Sequence, residues 1–295
     1  MEHTPSPDSA HTSTSLPFSG LALTLARAVW IFVALLSAIS FALFLPYASD
    51  TLRAVGDWRR AAMFMSGIQP DAYASYYVLL MLIFAALHSG TALFIFWRQS
   101  AERMAWLISL LLFTFGSGGA LSLLPDTVRS AAQTSAPLLA IIAVIDLSLF
   151  YSLFLVFPDG RFVPAWTRWL LPPLLLFTLS YLFPPGHPLR LDSFAPTIAS
   201  ALQLGFFTLA VGAQIHRRRH TAPGQRQQTQ GLVFGLSIAA AIQWCFFLLP
   251  VVFPVLRPPT VPVVALAYEM LASALFLTFI IVPLAIIFSG KGHGR

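Results

Sequence analysis

Four polar side chains of this 295-residue sequence stand out inside long apolar stretches, where chemistry that depends on charge or hydrogen bonding would have to take place. They are Asp146, Glu269, Gln243 and His88. Polar and ionisable groups are costly in hydrocarbon, so each of them is a candidate functional residue. At about 1.5 Å per helical residue, the first three would lie roughly 9–15 Å from the same membrane surface.

The hypothesis for these residues is a shared ligand-binding cavity. Asp146, Glu269 and Gln243 would line it, and His88 would lie deeper in the membrane. Burial disfavours the charged form of a carboxyl group, so at least one of the two acids is expected to carry a proton at neutral pH. Such a cavity could sense protons or hold an amphiphilic ligand, for example a cationic one. The alternative is that both acids serve packing only, through hydrogen bonds to backbone and hydroxyl groups.

Metal and cofactor chemistry has little support in the sequence. His88 has no second histidine within the apolar stretches to pair with, and Cys245 is the only cysteine. Neither a metal site nor a haem site can be built from them, so no metal and no cofactor are predicted. Motifs such as HExxH are also absent, so the sequence predicts no catalytic residue.

The composition indicates an integral membrane protein. Apolar residues make up 57% of the chain and charged residues only 9%, whereas globular domains are about 25% charged. The apolar stretches are continuous and long enough to cross the bilayer as helices. We therefore predict an all-α, polytopic transmembrane bundle of about eight spans. They are Leu21–Leu45 (ended by Pro46), Tyr76–Trp97, Met104–Leu124, Leu138–Phe157, Trp169–Phe183, Thr197–Ile215, Leu232–Phe253 and Val263–Phe288.

Small residues within these spans, such as Gly90, Gly116 and Gly118, predict close packing of neighbouring helices. Residues 1–20 lack lysine and arginine and are expected to form a disordered tail, followed by a transmembrane domain over residues 21–290 and a short tail over 291–295.

Positive charge predicts the orientation in the membrane. The segment His216–Gly231, HRRRHTAPGQRQQTQG, holds the densest cluster of cations and is expected to be a cytoplasmic loop. By alternation both termini are then cytoplasmic, and the chain would lie in a bacterial plasma membrane. The net charge of +6 is spread over several loops, so nucleic acid is not a predicted partner.

Two short motifs resemble a known family. The fourth predicted span ends in a Pro-Asp-Gly turn within the sequence FPDGR, and a basic segment followed by RQQ precedes the seventh span. Together they resemble the N-terminal membrane region of multi-span bacterial sensor histidine kinases. The matching residues are Phe157, Pro158, Asp159, Gly160, Arg161, Arg217, Arg218, Arg219, Arg226, Gln227 and Gln228.

The resemblance implies a signal-input module that senses a stimulus or small ligand within the bundle, as part of a two-component system. The two motifs would couple the signal to the cell interior, and Asp159 would meet an arginine of the basic segment. Since the sequence ends at Arg295 without a kinase domain, we expect no enzymatic activity from it. A cytoplasmic kinase module or a second copy of the chain would be its partner, beside the lipid bilayer. The alternative function is a small transporter or permease.

Overall fold

The structure, a computed structural model, describes residues 18–125, 127–129, 131, 137–157, 160–184, 186–191, 195–220, 223–257 and 260–280. All regular secondary structure in these ranges is helical. The α-helices are α1 (Gly20–Arg53), α2 (Asp57–Ser66), α3 (Pro70–Gln99), α4 (Arg103–Gly118), α5 (Pro137–Val156), α6 (Leu171–Leu179), α7 (Pro196–His220), α8 (Pro223–Val252) and α9 (Pro262–Phe276). Short 3₁₀ segments are Gly119–Leu123, Ala165–Leu170, Ser180–Leu182, Pro254–Leu256 and Leu277–Ile280.

Six of the described helical segments are long and apolar enough to cross a membrane. They are Gly20–Arg53, Pro70–Gln99, Arg103–Leu123, Thr197–Arg219, Val233–Val252 and Pro262–Ile280. The apolar part of α5, Ala140–Val156, is shorter, and α6 is a nine-residue helix between two 3₁₀ segments. The chain is thus an all-helical, multi-pass membrane protein, and the total of eight spans stays a prediction.

Helix α4 is the centre of the bundle. In its apolar segment 83% of the residues are buried within the protein, against 28% in α1. The helix packs on α1, α3 and α5, and two of its glycines explain the close approach. A Cβ at Gly116 would lie 2.9 Å from Oγ of Ser89, and one at Gly118 would lie 3.3 Å from Cγ2 of Ile142. A Cβ at Gly90 would meet nothing within 4 Å, so the predicted packing role of that glycine is wrong.

Two predicted boundaries are also wrong. Helix α1 does not end at Pro46 but continues through it to Arg53. A proline removes one backbone hydrogen bond, which transmembrane helices tolerate when neighbouring groups compensate. The basic segment is not a loop either, because α7 extends to His220 and α8 begins at Pro223. Arginine and glutamine are good helix formers, and proline is favoured in the first turn of a helix.

The connecting segments gather at two ends of the bundle. At the first, which we call the motif end, the backbone N–H of Phe18 donates to Ala101 between α3 and α4, and Arg217 of α7 donates to the carbonyl of Arg161. At the opposite end, which we call the cavity end, Arg53 pairs with Asp71. Those segments that were predicted to be cytoplasmic and that belong to the described residues lie together at the motif end.

Candidate functional site

A cavity of about 360 Å³ opens at the cavity end between α2, the segment after α4, α8 and α9. Glu269 of α9 and Gln243 of α8 both line it, as predicted from the depth in the membrane that the sequence assigns to them. Its wall is otherwise a mixture of apolar side chains, among them Phe246 and Phe276, and polar groups. The other charged or aromatic polar side chains in the wall are Arg59, Arg129, Arg257 and Tyr268.

Glu269 is held by an arginine from a different part of the chain. Nη2 of Arg59 donates to Oε2 of Glu269 at 2.6 Å, and Nε of Arg59 lies 3.1 and 3.0 Å from the two carboxylate oxygens. The side chains are only 10% and 18% exposed. A fork of this kind joins both oxygens of a carboxylate to one planar guanidinium, which fixes the relative position of the two groups.

Two tyrosines of α3 complete the shell around the carboxylate. The hydroxyl groups of Tyr73 and Tyr77 donate to Oε1 of Glu269 at 2.8 and 3.4 Å, and both side chains are fully buried. The two residues are four apart, so they lie on the same face of the helix. We call Arg59, Tyr73, Tyr77 and Glu269 the Arg59–Glu269 cluster.

Helix α2 carries Arg59 to this position because of its amphipathic pattern. Arg59, Ala62 and Met63 are three and four residues apart and are 8%, 0% and 2% exposed, so they form one buried face. On the other side Phe64 is 89% exposed. The helix ends at Ser66 and is capped by Gly67, whose φ of 71° suits glycine. The short helix therefore packs on α9 with its arginine on the buried face.

The charge of Arg59 is secured by its partner. Burial lowers the pKa of Arg59, but the hydrogen bond and the negative charge of Glu269 outweigh burial, so the pKa lies above its usual value. Its Nη1 donates further to Oγ1 of Thr127 at 3.4 Å. Arg59 is thus a permanent cation that neutralises Glu269 and joins α2, α9 and the segment after α4.

Asp146 lies elsewhere, so the predicted three-residue cavity is only partly present. It is not among the residues that line the cavity and is 3% exposed between α5 and α4. Oγ1 of Thr114 donates to its Oδ1 at 3.4 Å. Depth in a span does not determine which face of the helix a residue occupies, and Asp146 faces α4 rather than α9.

His88 is fully buried and also does not line the cavity. Its Nδ1 donates to the carbonyl of Phe84 at 2.9 Å, and its ring packs on Phe84 and Phe115 at centroid distances of 4.1 and 5.4 Å. This environment is that of a core residue. Among the described residues, no group of three or more His, Cys, Asp and Glu side chains could hold a metal ion.

The FPDGR segment and the basic segment, which carry the resemblance to sensor kinases, meet at the motif end. Nη1 of Arg217 donates to the carbonyl of Val156 at 3.3 Å, and Nη2 donates to that of Arg161. The amide of Gln214, one turn earlier on α7, donates to the carbonyls of Phe154 and Phe157. The last carbonyls of a helix lack partners within it, so these side chains cap α5.

The turn after α5 is formed at Gly160, whose φ is 76° and whose N–H donates to Val156. Pro158 and Asp159 lie outside the described residues, so the expected contact of Asp159 is not seen. Arg226, Gln227 and Gln228 belong to α8, and the structure does not describe their side chains. Arg218 and Arg219 form part of the last turn of α7.

Comparisons with known proteins leave the family open. No family model, no curated protein and no solved structure matches the chain. The resemblance to sensor kinases therefore depends on the short motifs alone.

Sequence reasoning missed three members of the Arg59–Glu269 cluster. Arg59 stands between the first two predicted spans, and its partner is 210 residues away in sequence. Two local signals could have identified them. One is the buried-face spacing of Arg59, Ala62 and Met63, and the other is the pair of tyrosines at the start of α3.

Proposed function

We propose that the chain is a signal-input protein of a bacterial plasma membrane that takes up a small ligand in the cavity beside the Arg59–Glu269 cluster. The observation that carries the proposal is the position of the cluster in the cavity wall. A ligand that enters the cavity would contact α2, α8 and α9 at once and would change the packing of α9. A ligand that makes different contacts in two arrangements of the bundle shifts the protein toward the arrangement that it binds better, and this shift is the signal.

A continuous column of aromatic rings supports a route from the cavity to the motif end. Phe276 lines the cavity and lies 5.6 Å from the ring of Phe84 and 6.3 Å from that of Phe115. Phe115 stacks on Phe150 of α5 at 5.3 Å. Helix α5 ends at the carbonyls capped by Arg217. A shift of Phe276 would therefore reach the FPDGR segment through packed side chains, because closely packed cores transmit displacement.

The proposed topology has eight spans with both termini in the cytoplasm. The grouping of the described basic segments at the motif end supports it, since cytoplasmic loops are enriched in arginine. A reporter active only in the cytoplasm, fused after Arg295, is expected to be active. A reporter inserted after Gly67 is expected to be inactive, and the opposite pattern would invert the proposed orientation.

The proposal is tested by filling the cavity. Ala272 lies in the cavity wall, so Ala272→Trp would occupy much of the space. The full chain in nanodiscs would be titrated with octanoate, octanol and octylamine, and hydrogen exchange of residues 154–161 would be followed by mass spectrometry. For a signal-input protein, a bound probe changes exchange at these residues in the wild type but not in the variant.

Three outcomes would contradict the proposal. Binding that leaves exchange at residues 154–161 unchanged would remove the route to the motif end. Accumulation of the bound probe inside proteoliposomes that contain only this chain would establish a transporter instead. Binding that Ala272→Trp leaves intact would show that the cavity is not the site.

A further inference from the structure

The hydrogen-bonding capacity of Glu269 is already used within the protein. Its two oxygens accept from Arg59, Tyr73 and Tyr77, which accounts for most of the lone pairs of a carboxylate. Its negative charge is balanced by the guanidinium of Arg59 at 2.6 Å. A cationic ligand in the cavity would therefore find no uncompensated negative charge among the described residues of the wall.

The charged groups that line the cavity beyond this cluster are two arginines, which only donate hydrogen bonds. Arg257 is exposed, and its Nε donates to the carbonyl of Pro250 at 2.6 Å. This bond orients the guanidinium and leaves its two terminal nitrogens for other acceptors, since arginine has five N–H groups. Arg129 adds a second cation to the wall, and Gln243 adds an amide.

Most of the remaining wall is apolar. Leu124, Phe246, Ala265 and Phe276 all contribute to the lining. A hydrocarbon body would be removed from water against these side chains, and a charged head would meet the arginines. Ligand cavities commonly combine an apolar wall with a few placed polar groups in this way.

We infer that the cavity binds an anionic amphiphile, with a carboxylate or phosphate head on Arg257 and an apolar chain against Phe246 and Phe276. This inference rests on the proposed function and names its ligand class. It replaces the cationic ligand considered from the sequence, because Arg59 neutralises the acid on which that idea depended. The head can belong to a free amphiphile or to an anionic membrane lipid, and both present the same chemistry to Arg257.

The test measures binding of probes that share a chain length but differ in charge. Octanoate, octanol and octylamine are titrated into the full chain in phosphatidylcholine nanodiscs, with tryptophan fluorescence as one reporter and thermal stability as another. Octanoate is expected to bind best. Arg257→Gln should weaken its binding at least tenfold and leave octanol unaffected, because a charge-assisted hydrogen bond is stronger than a neutral one.

Arg53→Gln is the matched control, because Arg53 lies at the same end of the bundle but pairs with Asp50 and Asp71 outside the cavity. This variant should bind octanoate like the wild type. Repeating the titration with phosphatidylglycerol in the nanodiscs distinguishes the sources. If the lipid competes with octanoate only when Arg257 is present, the headgroup is the natural anion; if octanoate binding is unchanged, the ligand is a free amphiphile.

Three results would overturn the inference. The first is equal or stronger binding of octylamine, and the second is no loss of octanoate binding in Arg257→Gln. Octylamine binding that is abolished by Ala272→Trp would leave the cavity as the proposed site and refute only the ligand class. Failure of octanoate to bind at all would also refute the anionic class, whereas the proposed function would still be judged by the hydrogen-exchange response to the other probes.

Discussion

Removal of Glu269 gives the sharpest test of the Arg59–Glu269 cluster. In Glu269→Ala, the guanidinium of Arg59 would remain in a site where its side chain is 10% exposed without its counterion. Breaking one partner of a buried ion pair destabilises proteins by about 3–5 kcal/mol. Tyr73 and Tyr77 would also lose their acceptor. Since both charged side chains keep some exposure, we expect a loss near the lower limit, about 3 kcal/mol.

The assay is thermal unfolding of the full chain in one detergent, followed by tryptophan fluorescence. A loss of this size corresponds to a decrease in Tm of roughly 6–12 °C, at about 2–4 °C per kcal/mol for a chain of this size class. Glu269→Gln should lose less, because the amide oxygen still accepts from the tyrosines. The double variant Arg59→Met with Glu269→Leu should recover more than half of the loss, since neither charge remains buried.

The exposed pair Arg53–Asp71 is the control. Its side chains are 48% and 82% exposed, and surface ion pairs contribute about 0–1 kcal/mol. Arg53→Gln should therefore change Tm by no more than about 4 °C. If Glu269→Ala shifts Tm no further than this control, or if the double variant is less stable than Glu269→Ala, the cluster does not hold α2 on α9 as described.

Three further predictions concern the helix contacts. Gly116→Ala should destabilise the protein by about 1–3 kcal/mol, because its Cβ would lie 2.9 Å from a side-chain oxygen of α3. In the control Gly90→Ala, nothing lies within 4 Å of the new Cβ, so Tm should be unchanged or slightly raised. Arg217→Ala should increase hydrogen exchange at the end of α5 and cost about 2 kcal/mol, since carbonyls there lose a charged donor, whereas Arg218→Ala should do neither. Asp146→Asn should retain stability within about 1 kcal/mol, because an amide can keep the hydrogen bond to the threonine hydroxyl; a much lower Tm would show that a carboxylate is required there.

The fold class could be predicted from the sequence because it depends on local composition. Continuous apolar stretches indicate helices in lipid, and the Pro-Asp-Gly sequence predicts the turn where Gly160 has a positive φ. The ends of the helices were harder to predict from the sequence. Pro46 stops most helices in water, but here the rest of α1 is supported within the bundle.

The candidate site could be predicted only in part, because it depends on contacts between distant segments. The depth of Glu269 and Gln243 in their spans was enough to place both at one cavity. Depth gave no information on rotation about the helix axis, which is why Asp146 was expected there as well. The partner of Glu269 could not be identified from the local sequence pattern. Arg59 lies in a separate short helix that begins after Gly56, and its role depends on the packing of α2 on α9.

The central position of α4 has a consequence for the assembly of the protein in the bilayer. Its mean hydropathy of 1.7 is lower than the 2.2 of α3, and it carries Ser109, Thr114 and Ser117 among its buried residues. Alone in lipid it would be the less stable of the two, but only a short turn separates it from α3. Insertion of the two as a hairpin would cover only one face of α4. Its hydroxyl groups would be fully sheltered once α1 and α5 arrive, because Ser109 accepts from Trp30 of α1 and Thr114 donates to Asp146 of α5.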